Sequence, residues 1–301
     1  MRSVRVRAPG KVNLSLAVGR RQPDGYHPLA TVFQAVSVHE ELVATAADDW
    51  TVEVSGPQAE LVPLDDTNLA LRAARVLAEA VGVPGGAHLR IVKGVPVAGG
   101  MAGGSADAAS ALLACDALWG TGLARGELAE LAAMLGSDVP FALHGQTAVG
   151  RGRGHLLSPV LARGQYHWTF GLQDTGLSTA RVYGMFDEVV GQGADDEPDV
   201  DAALLRALRA GDAAALGAAL SNDLQPATLE LAPELVETLA VAEDAGALGV
   251  VVSGSGPTVA ALAMDRQHAH AIGRAMLDAG VVDGVLQASG PVPGARIITE
   301  A

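Results

Sequence analysis

Hydrophobic and polar residues alternate with a period of two along several stretches of the chain, and this period predicts β-strands. Near the start, Val4 and Val6 alternate with arginines, and the alternation resumes at Val12 after Pro9-Gly10, where we expect an interruption. The same alternation, or a short apolar run, predicts further strands at residues 31–38, 41–46, 50–54, 87–92, 167–172, 249–252, 258–263, 284–288 and 296–299.

A second pattern, with apolar residues three and four positions apart, predicts amphipathic helices. The segments 68–81 and 127–135 follow it, and Gly136 is expected to be the C-cap of the latter helix. Ser105 and Asp107 are residue types that begin helices, so a helix is expected to start there, after a glycine-rich loop. Further helices are predicted at residues 178–190, over most of 200–220, at 232–245 and at 266–279.

The order of these elements predicts an α+β protein with two domains, since 301 residues suffice for two ordinary cores. We place an N-terminal domain at residues 1–162 and a C-terminal domain at residues 163–301. In the second domain, the succession of strands and helices fits an antiparallel sheet covered by helices on one side. A polar, acidic segment at 191–199 is expected to form a mobile loop.

Composition narrows the class of protein. Hydrophobic residues make up 49% of the chain, with no apolar run long enough to span a membrane and no signal peptide, so we expect no membrane partner. The single cysteine, Cys115, excludes an intrachain disulfide and favours a cytoplasmic location. The net charge of −14 argues against a nucleic-acid partner. If so acidic a protein binds a polyphosphate, helix N-termini, a few basic side chains and Mg²⁺ must build a local positive pocket.

Residues 94–113 read GVPVAGGMAGGSADAASALL, a glycine-rich loop between a predicted strand and a predicted helix. This arrangement directs backbone N–H groups and the positive end of a helix dipole towards one point, as in phosphate sites. Gly99 to Gly104 has the G-x-x-x-x-G spacing of a Walker A loop, but Ser105-Ala106 follows in place of Lys-Ser or Lys-Thr. A P-loop NTPase is therefore excluded, and a phosphate-neutralising lysine must come from elsewhere. The alternative is that these glycines only form a tight turn.

Four polar residues outside the loop are candidates for the same site. Lys11 follows the first bend of the chain and can supply the missing lysine, although a solvated sheet face is the alternative. Asp138 lies among apolar residues at the start of an element, as a general base or a helix N-cap. Tyr26 and His27 follow a Pro-Asp-Gly turn, where they either stack on a ligand or pack half-buried.

Three separated stretches carry a resemblance to a known family. Residues 9–14 read PGKVNL, residues 96–106 form the glycine loop, and residues 253–259 read SGSGPTV. In this order they resemble the three motifs of the GHMP kinase superfamily, named for galacto-, homoserine, mevalonate and phosphomevalonate kinases. The resemblance implies the α+β, two-domain GHMP kinase fold. Its N-terminal domain is like domain 2 of ribosomal protein S5, its C-terminal domain is ferredoxin-like, and the active site lies in the cleft between them.

Within that superfamily, four segments are similar to the kinases that act on a cytidine-diphosphate-linked methylerythritol. They are APGKVNLSL, the pair Tyr26-His27, the loop PVAGGMAGGSADAA, and LGSDVPF. The resemblance implies ATP-dependent phosphorylation of the 2-hydroxyl of that alcohol, on the non-mevalonate route to isoprenoids. ATP and Mg²⁺ would be the cofactors, and the partners would be small molecules only.

The resemblance also implies a role for each matching residue on the phosphate side. Asp138 would accept the hydroxyl proton, while Lys11 would keep Asp138 ionised and stabilise the transferring phosphoryl group. Asn13 would touch the substrate near the reacting hydroxyl, and Ser105 would lie near Mg²⁺ or a phosphate oxygen. The loop that would wrap the ATP phosphates consists of Pro96, Val97, Ala98, Gly99, Gly100, Met101, Ala102, Gly103, Gly104, Ser105 and Ala106.

On the substrate side, Tyr26 would stack on the cytosine and His27 would hydrogen-bond the edge of the base. The second aromatic residue against the cytosine is aligned at Tyr183. Gly254 and Gly256 would let backbone amides approach the substrate diphosphate, or would brace the glycine loop.

Several alternatives stay open from the sequence. Ala106 stands where many relatives carry a second serine, and no acidic Mg²⁺ ligand is evident. Another small-molecule kinase of the superfamily, acting on homoserine or mevalonate, would not need Tyr26 and His27. A catalytically silent nucleotide-binding protein on the same fold would not need both Lys11 and Asp138. The sequence does not distinguish a monomer from a homodimer.

Overall fold

The computed structural model describes residues 2–190 and 193–300, so Gly191 and Gln192, at the start of the predicted acidic loop, lie outside the described residues. The described chain forms two sheets with helices packed against them. The strands are β1 (Ser3–Val18), β2 (Leu29–Ala47), β3 (Thr51–Ser55), β4 (Gly86–Val92), β5 (Thr147–Gly152), β6 (Leu156–Pro159), β7 (Tyr166–Leu172), β8 (Ser221–Asn222), β9 (Gly249–Val252), β10 (Val259–Ala263), β11 (Gly284–Gly290) and β12 (Arg296–Glu300). The helices are α1 (Leu69–Val81), α2 (Gly103–Trp119), α3 (Arg125–Leu135), α4 (Val139–His144), α5 (Thr179–Val189), α6 (Ala202–Ala210), α7 (Ala213–Ala218), α8 (Gln225–Leu231), α9 (Leu235–Asp244) and α10 (Arg266–Asp278).

The first sheet is built on β1 and β2, which pair antiparallel along the whole of β1. The strands β4 and β3 extend the sheet beside one half of β2, and β5 and β6 extend it beside the other half. The expected interruption at Pro9-Gly10 is wrong, because β1 continues through it and the register with β2 shifts there instead. Such a bulge accommodates a proline, which has no N–H for the ladder. The two strands predicted between residues 31 and 46 are likewise one strand, β2, bulged opposite Pro9.

The second sheet is antiparallel throughout, in the order β11-β7-β10-β9. The helices α5 to α9 lie between its first two strands in sequence and α10 between its last two, which is the β-α-β-β-α-β succession expected of a ferredoxin-like domain. The division of the chain after residue 162 stays a prediction. The last strand, β12, pairs with β1 of the first sheet, with Val4 opposite Glu300. There β12 covers backbone groups that would otherwise form an open edge.

Helix α2 follows the glycine loop and is buried on nearly all sides, where its alanines allow neighbours to approach closely. It begins at Gly103, so the prediction that Ser105 or Asp107 starts it is wrong. The residue before it, Ala102, has a φ of 62° and makes no side-chain capping bond. Asp107 turns its carboxylate to Lys93 inside the protein instead.

The other helices follow the predicted pattern with small shifts. Asn68 caps α1, because its Oδ1 accepts the N–H of Ala70 at 2.9 Å. Gly136 is the C-cap of α3, as predicted. The hairpin of β5 and β6 and the helix α8 are elements that the hydrophobic pattern did not predict.

Two large hydrophobic clusters hold the layers together. One lies between α1 to α4 and the half of the first sheet that carries β4. The other joins the two sheets and contains Leu14, Trp168 and Phe170, and Trp168 Nε1 donates to Gln34 Oε1 across it at 3.0 Å. This second cluster holds the middle of β1 and the glycine loop against the second sheet, so residues of both halves of the chain face one cleft. None of the helices described is both long and apolar enough to cross a bilayer.

Candidate active site

The residues singled out from distant segments lie around one cleft of about 890 Å³. Lys11 and Asn13 reach it from β1, Asp138 from the residue before α4, Tyr183 from α5, and Gly254 from the turn after β9. The other predicted residues that line it are Tyr26, His27, Pro96, Ala98, Gly99, Gly100, Ala102, Gly103, Gly104 and Ser105.

Four predicted site residues do not line the cleft. Val97 directs its N–H to the side-chain oxygen of Gln58 at 2.8 Å. Met101 and Ala106 are fully buried beneath the loop. Gly256 packs against Val252 and Thr228 side chains behind the turn. These residues shape the loop and the turn rather than face the space where a ligand would bind.

The glycine loop has the backbone geometry of an anion site. Ala98, Gly100 and Ala102 have φ values of 55°, 73° and 62°, so every second residue of this stretch adopts the left-handed conformation. Alternation of this kind gathers backbone N–H groups into a concave nest that binds anions. Helix α2 starts directly after it, and its N-terminal N–H groups and dipole add to the positive potential. Phosphate binding by the loop stays a prediction, which this geometry favours over a simple tight turn.

Lys11 places its ammonium group against the glycine loop. Its Nζ donates to the carbonyl of Gly100 at 2.6 Å and to Oδ1 of Asn13 at 2.6 Å. Its backbone N–H donates to the carbonyl of Met101 at 3.1 Å. Burial lowers the pKa of Lys11 below the ordinary 10.5, and the nearby Asp138 opposes this effect. These bonds hold the ammonium beside the nest, in place of the solvated sheet face that was the alternative.

A chain of hydrogen bonds fixes the amide of Asn13. Its Nδ2 donates to Oγ1 of Thr31 at 2.8 Å, and that hydroxyl donates to the carbonyl of Ser15 at 2.7 Å. Because the threonine hydroxyl donates its hydrogen to the carbonyl of Ser15, it can only accept a hydrogen bond from Asn13. Asn13 Oδ1 therefore faces Lys11.

Asp138 faces Lys11 in the cleft, with 3.9 Å between Oδ2 and Nζ. It occupies the N-cap position of α4, as the alternative expected, but its side chain makes no capping hydrogen bond and is free to face the cleft. The carboxylate is 32% exposed, against 6% for the lysine side chain. A carboxylate that a ligand can reach, next to a buried positive charge, has the surroundings of a general base.

The turn between β9 and β10 packs directly on the ammonium of Lys11. A Cβ added to Gly254 would lie 3.1 Å from Nζ, and this residue has a φ of +59°. Asn222 holds the turn by donating to the carbonyls of Val252 at 2.8 Å and Gly254 at 2.7 Å. Glycine is therefore required at 254 for both conformation and space.

Aromatic rings gather at another part of the cleft. His27 packs between Tyr183 and Phe186, with ring centroids 5.1 Å and 5.7 Å away. Burial, with Asp138 nearby, raises the pKa of Tyr183 above the ordinary 10. The ring of Tyr26 is half exposed at the cleft. His27 is therefore packed in the protein and also lines the cleft, while stacking of the pair on a ligand stays a prediction.

Sequence reasoning missed two charged residues of this part of the cleft. Arg153, after β5, places its guanidinium carbon 3.4 Å from the ring centroid of Tyr26 and pairs with Asp24 at 3.1 Å. Asp187, on α5, lies 2.8 Å from Nε2 of His27. The run RGRG at residues 151–154 was the signal that could have indicated Arg153. No local sequence pattern connects Asp187 to His27.

A buried charge cluster, Glu40, Lys93 and Asp107, lies beneath the start of α2 and was also missed. Lys93 Nζ is 2.6 Å from Glu40 Oε1 and 2.6 Å from Asp107 Oδ2. Burial, with Asp107 nearby, raises the pKa of Glu40 to about 7, and burial raises the pKa of Asp107. Glu40 Oε2 accepts the N–H of Gly94, and a Cβ added to Gly103 would lie 2.9 Å from Glu40 Oε1. The cluster therefore supports both ends of the glycine loop.

The residues of the cleft fit Mg²⁺ only as an ion held largely by a nucleotide. Ser105 lines the cleft at the start of α2, where its hydroxyl is a suitable oxygen ligand. Across the described ranges, no group of three or more His, Cys, Asp or Glu residues is placed to hold a metal. Mg²⁺ commonly takes few protein ligands and completes its shell with phosphates and water.

Known proteins resemble this chain over its whole length. Residues 68–146 match the family model for the GHMP kinases N terminal domain, and residues 204–282 match that for the GHMP kinases C terminal. A 4-diphosphocytidyl-2-C-methyl-D-erythritol kinase of Streptomyces avermitilis is 53% identical over 296 residues, which cover 98% of this chain and 100% of that protein.

Solved structures agree with the sequence comparison. A crystal structure of 4-(cytidine 5′-diphospho)-2C-methyl-D-erythritol kinase has a TM-score of 0.76 and 34% identity, covering 95% of this chain and 98% of that chain. A homoserine kinase of Cytophaga hutchinsonii has a TM-score of 0.77 at 21% identity, covering 98% and 97%, and shows likeness of fold alone. The expected two-domain α+β fold is confirmed, and the chain belongs to the GHMP kinase family.

Proposed function

We propose that the chain transfers the γ-phosphoryl group of ATP to the 2-hydroxyl of 4-diphosphocytidyl-2-C-methyl-D-erythritol. The observation that carries this proposal is the position of Lys11 and Asp138, 3.9 Å apart, in one cleft with both the glycine loop and the Tyr26-His27 pair. The relative of Streptomyces avermitilis, 53% identical, carries the name of the corresponding kinase and supports the choice of substrate.

In this proposal the glycine loop binds the phosphates of ATP. The nest at Ala98 to Ala102 and the N-terminus of α2 surround the phosphate oxygens, and Lys11 neutralises charge at the γ-phosphoryl group. Phosphoryl transfer depends mostly on positioning and charge compensation, so a rigid loop and a fixed ammonium are its main requirements. Mg²⁺, with Ser105 as its protein ligand, would add positive charge at the phosphates when bound.

Asp138 is the general base. The 2-hydroxyl oxygen attacks the γ-phosphorus, a new O–P bond forms, and the bond to the ADP oxygen breaks. The hydroxyl proton passes to the carboxylate of Asp138, which lies 3.9 Å from the ammonium of Lys11. Asn13 holds Lys11 in place and lines the cleft beside the reacting hydroxyl.

The cytidine part of the substrate occupies the aromatic end of the cleft. Tyr26 and Tyr183 provide faces for the base to stack on, and His27 hydrogen-bonds its edge. Homoserine and mevalonate have no base, and they would leave these rings uncovered. The expected cytoplasmic location and the lack of a nucleic-acid partner stay predictions.

The test measures ADP release from ATP and Mg²⁺ with 4-diphosphocytidyl-2-C-methyl-D-erythritol, and in parallel with homoserine and mevalonate. We expect turnover with the cytidylyl substrate only, and a loss of about 10²- to 10⁴-fold in Asp138→Asn. Asp278→Asn, an exposed change of the same type at the end of α10, is the control and should match the wild type.

Each other outcome identifies a different error. Turnover with homoserine or mevalonate would confirm that the chain is a small-molecule kinase, but it would contradict the assignment of the cytidine-linked substrate. ATP binding without ADP release from any of the alcohols would instead support a silent nucleotide-binding protein.

A further inference from the structure

One contact near the aromatic end of the cleft has no role in phosphoryl transfer. The imidazole Nε2 of His27 lies 2.8 Å from Oδ1 of Asp187, and the side chains are 5% and 28% exposed. Both residues line the cleft. Arg21 approaches the other carboxylate oxygen of Asp187, with 3.7 Å between Nη1 and Oδ2.

This contact fixes which nitrogen of His27 carries hydrogen. A carboxylate has no hydrogen to donate, so Nε2 must be the donor in the pair. In the neutral ring the other nitrogen, Nδ1, then holds a lone pair and is an acceptor. Nδ1 has no hydrogen-bond partner within the part of the chain that the structure describes.

Asp187, which orients His27, lies on the same helix as Tyr183, the residue proposed to stack on the base. Asp187 follows Tyr183 by four positions, so the two side chains lie on the same face of the helix. The ring of His27 packs on Tyr183 at a centroid distance of 5.1 Å. One helix therefore presents a stacking face together with a group that orients the neighbouring imidazole.

We propose that Asp187 is a positioning residue that makes the kinase select cytidine over uridine, by holding His27 with Nδ1 as an acceptor. The proposal rests on the proposed function, in which the base of the substrate meets His27. Cytosine carries an amino group at position 4, which donates to an acceptor. Uracil carries a carbonyl oxygen there, so two acceptors would face each other without a hydrogen between them. A site built to hydrogen-bond one group rejects an analogue that lacks it, because polar atoms are left unpaired.

The test compares kcat/KM for the cytidine substrate with kcat/KM for the matching uridine diphosphate compound, at mildly alkaline pH. The wild type should strongly prefer cytidine. In Asp187→Asn the amide can accept from Nε2–H or donate to Nε2, so both tautomers of His27 become accessible. We expect the preference to fall by about tenfold or more, mainly through KM, with kcat for cytidine changing little. Glu188→Gln, the adjacent exposed position on α5, is the matched control and should keep the wild-type preference.

A second measurement does not depend on the activity of any variant. Nitrogen-15 chemical shifts of the wild-type imidazole, assigned with His27→Gln, should show a hydrogen on Nε2 and a lone pair on Nδ1. A hydrogen on Nδ1 in the neutral ring would overturn the proposal, as would an unchanged cytidine preference in a folded Asp187→Asn. If the wild type phosphorylates neither nucleotide compound, the proposed function itself is wrong. This result is distinct from the two results that contradict the role of Asp187 alone.

Discussion

Gly100 of the glycine loop and Ser253 of the turn after β9 are in direct contact. Ser253 Oγ donates to the carbonyl of Gly100 at 3.3 Å, and a Cβ added to Gly100 would lie 2.1 Å from the carbonyl oxygen of Ser253. The same carbonyl of Gly100 accepts from Lys11 Nζ at 2.6 Å. The C-terminal half of the chain therefore fixes the oxygen that holds the lysine in place.

Replacement of Gly100 by alanine should disturb this contact and lower stability. Its φ of +73° is unfavourable for a side chain, and the new methyl group would collide with backbone rather than with a mobile side chain. We expect the free energy of unfolding to fall by about 1–3 kcal/mol, measured by urea denaturation.

Gly104→Ala is the control for that change. A Cβ at Gly104 meets nothing within 4 Å, and the residue lies inside α2. Alanine is favoured over glycine in a helix, so this variant should be unchanged or more stable by about 0.5–1 kcal/mol. Equal losses of stability in the two variants would contradict the role assigned to the Gly100 contact.

Lys11→Met should slow phosphoryl transfer strongly while leaving the fold intact. The methionine fills a similar volume without charge, and Asp138 is exposed enough to stay hydrated. Loss of one fixed positive group at the reacting phosphoryl should lower kcat by about 10²- to 10³-fold, measured as ADP release at saturating ATP. Lys11→Arg should not restore the rate, because the wider guanidinium does not fit a side-chain position only 6% exposed. Wild-type turnover in Lys11→Met would exclude Lys11 from the reaction, whereas wild-type turnover in Lys11→Arg would show that any positive charge at this position is sufficient.

The sequence predicted what depends on local pattern. Alternation along β1 placed Lys11 and Asn13 on one face, and four glycines within residues 99–104 indicated the phosphate loop. The resemblance to known motifs then connected segments that lie far apart, such as Asp138 and Gly254. Local pattern could not show that Pro9-Gly10 is a bulge, since the register is set by β2.

Residues whose role depends on a distant partner were missed for the same reason. Lys93 and Asp107 are separated from Glu40 by more than fifty residues, and their cluster exists only after β2 and α2 have packed together. Asp107 was predicted to start a helix because the helix-starting preference of aspartate is local. In the structure Asp107 lies inside α2, and its carboxylate pairs with Lys93.

Arg153→Ala should weaken binding of the cytidine substrate. The guanidinium of Arg153 covers one face of Tyr26 at 3.4 Å, so it steadies a ring that is otherwise half exposed. A cation–π contact at an exposed site is worth about 0.5–1 kcal/mol, which corresponds to a rise of about two- to fivefold in KM. Arg151→Ala is the control, because Arg151 pairs with Asp199 and does not line the cleft. Identical KM values for the two variants would show that the contact has no part in binding.

Glu40 should make stability depend on pH in a direction opposite to that of most glutamates. Its pKa is about 7 in the folded protein, mainly through burial, against the ordinary 4.5. Between these two values the folded protein binds more protons than the unfolded chain, so stability falls as pH rises from about 4.5 to about 7. Each unit of difference in pKa corresponds to about 1.4 kcal/mol, which gives an upper limit of about 3.5 kcal/mol.

The variant Glu40→Gln isolates this effect, because the amide resembles the protonated acid and does not titrate. We expect the free energy of unfolding of the wild type, relative to Glu40→Gln, to decrease across that pH range and to level off on either side. Glu60→Gln, at an exposed position, should instead give a curve parallel to the wild type. A wild-type curve that stays parallel to Glu40→Gln would mean that Glu40 keeps its ordinary pKa, with Lys93 compensating its burial in full. A decrease as predicted would mean that one carboxyl of the cluster carries a proton in the folded protein near neutral pH, and that Lys93 balances the other.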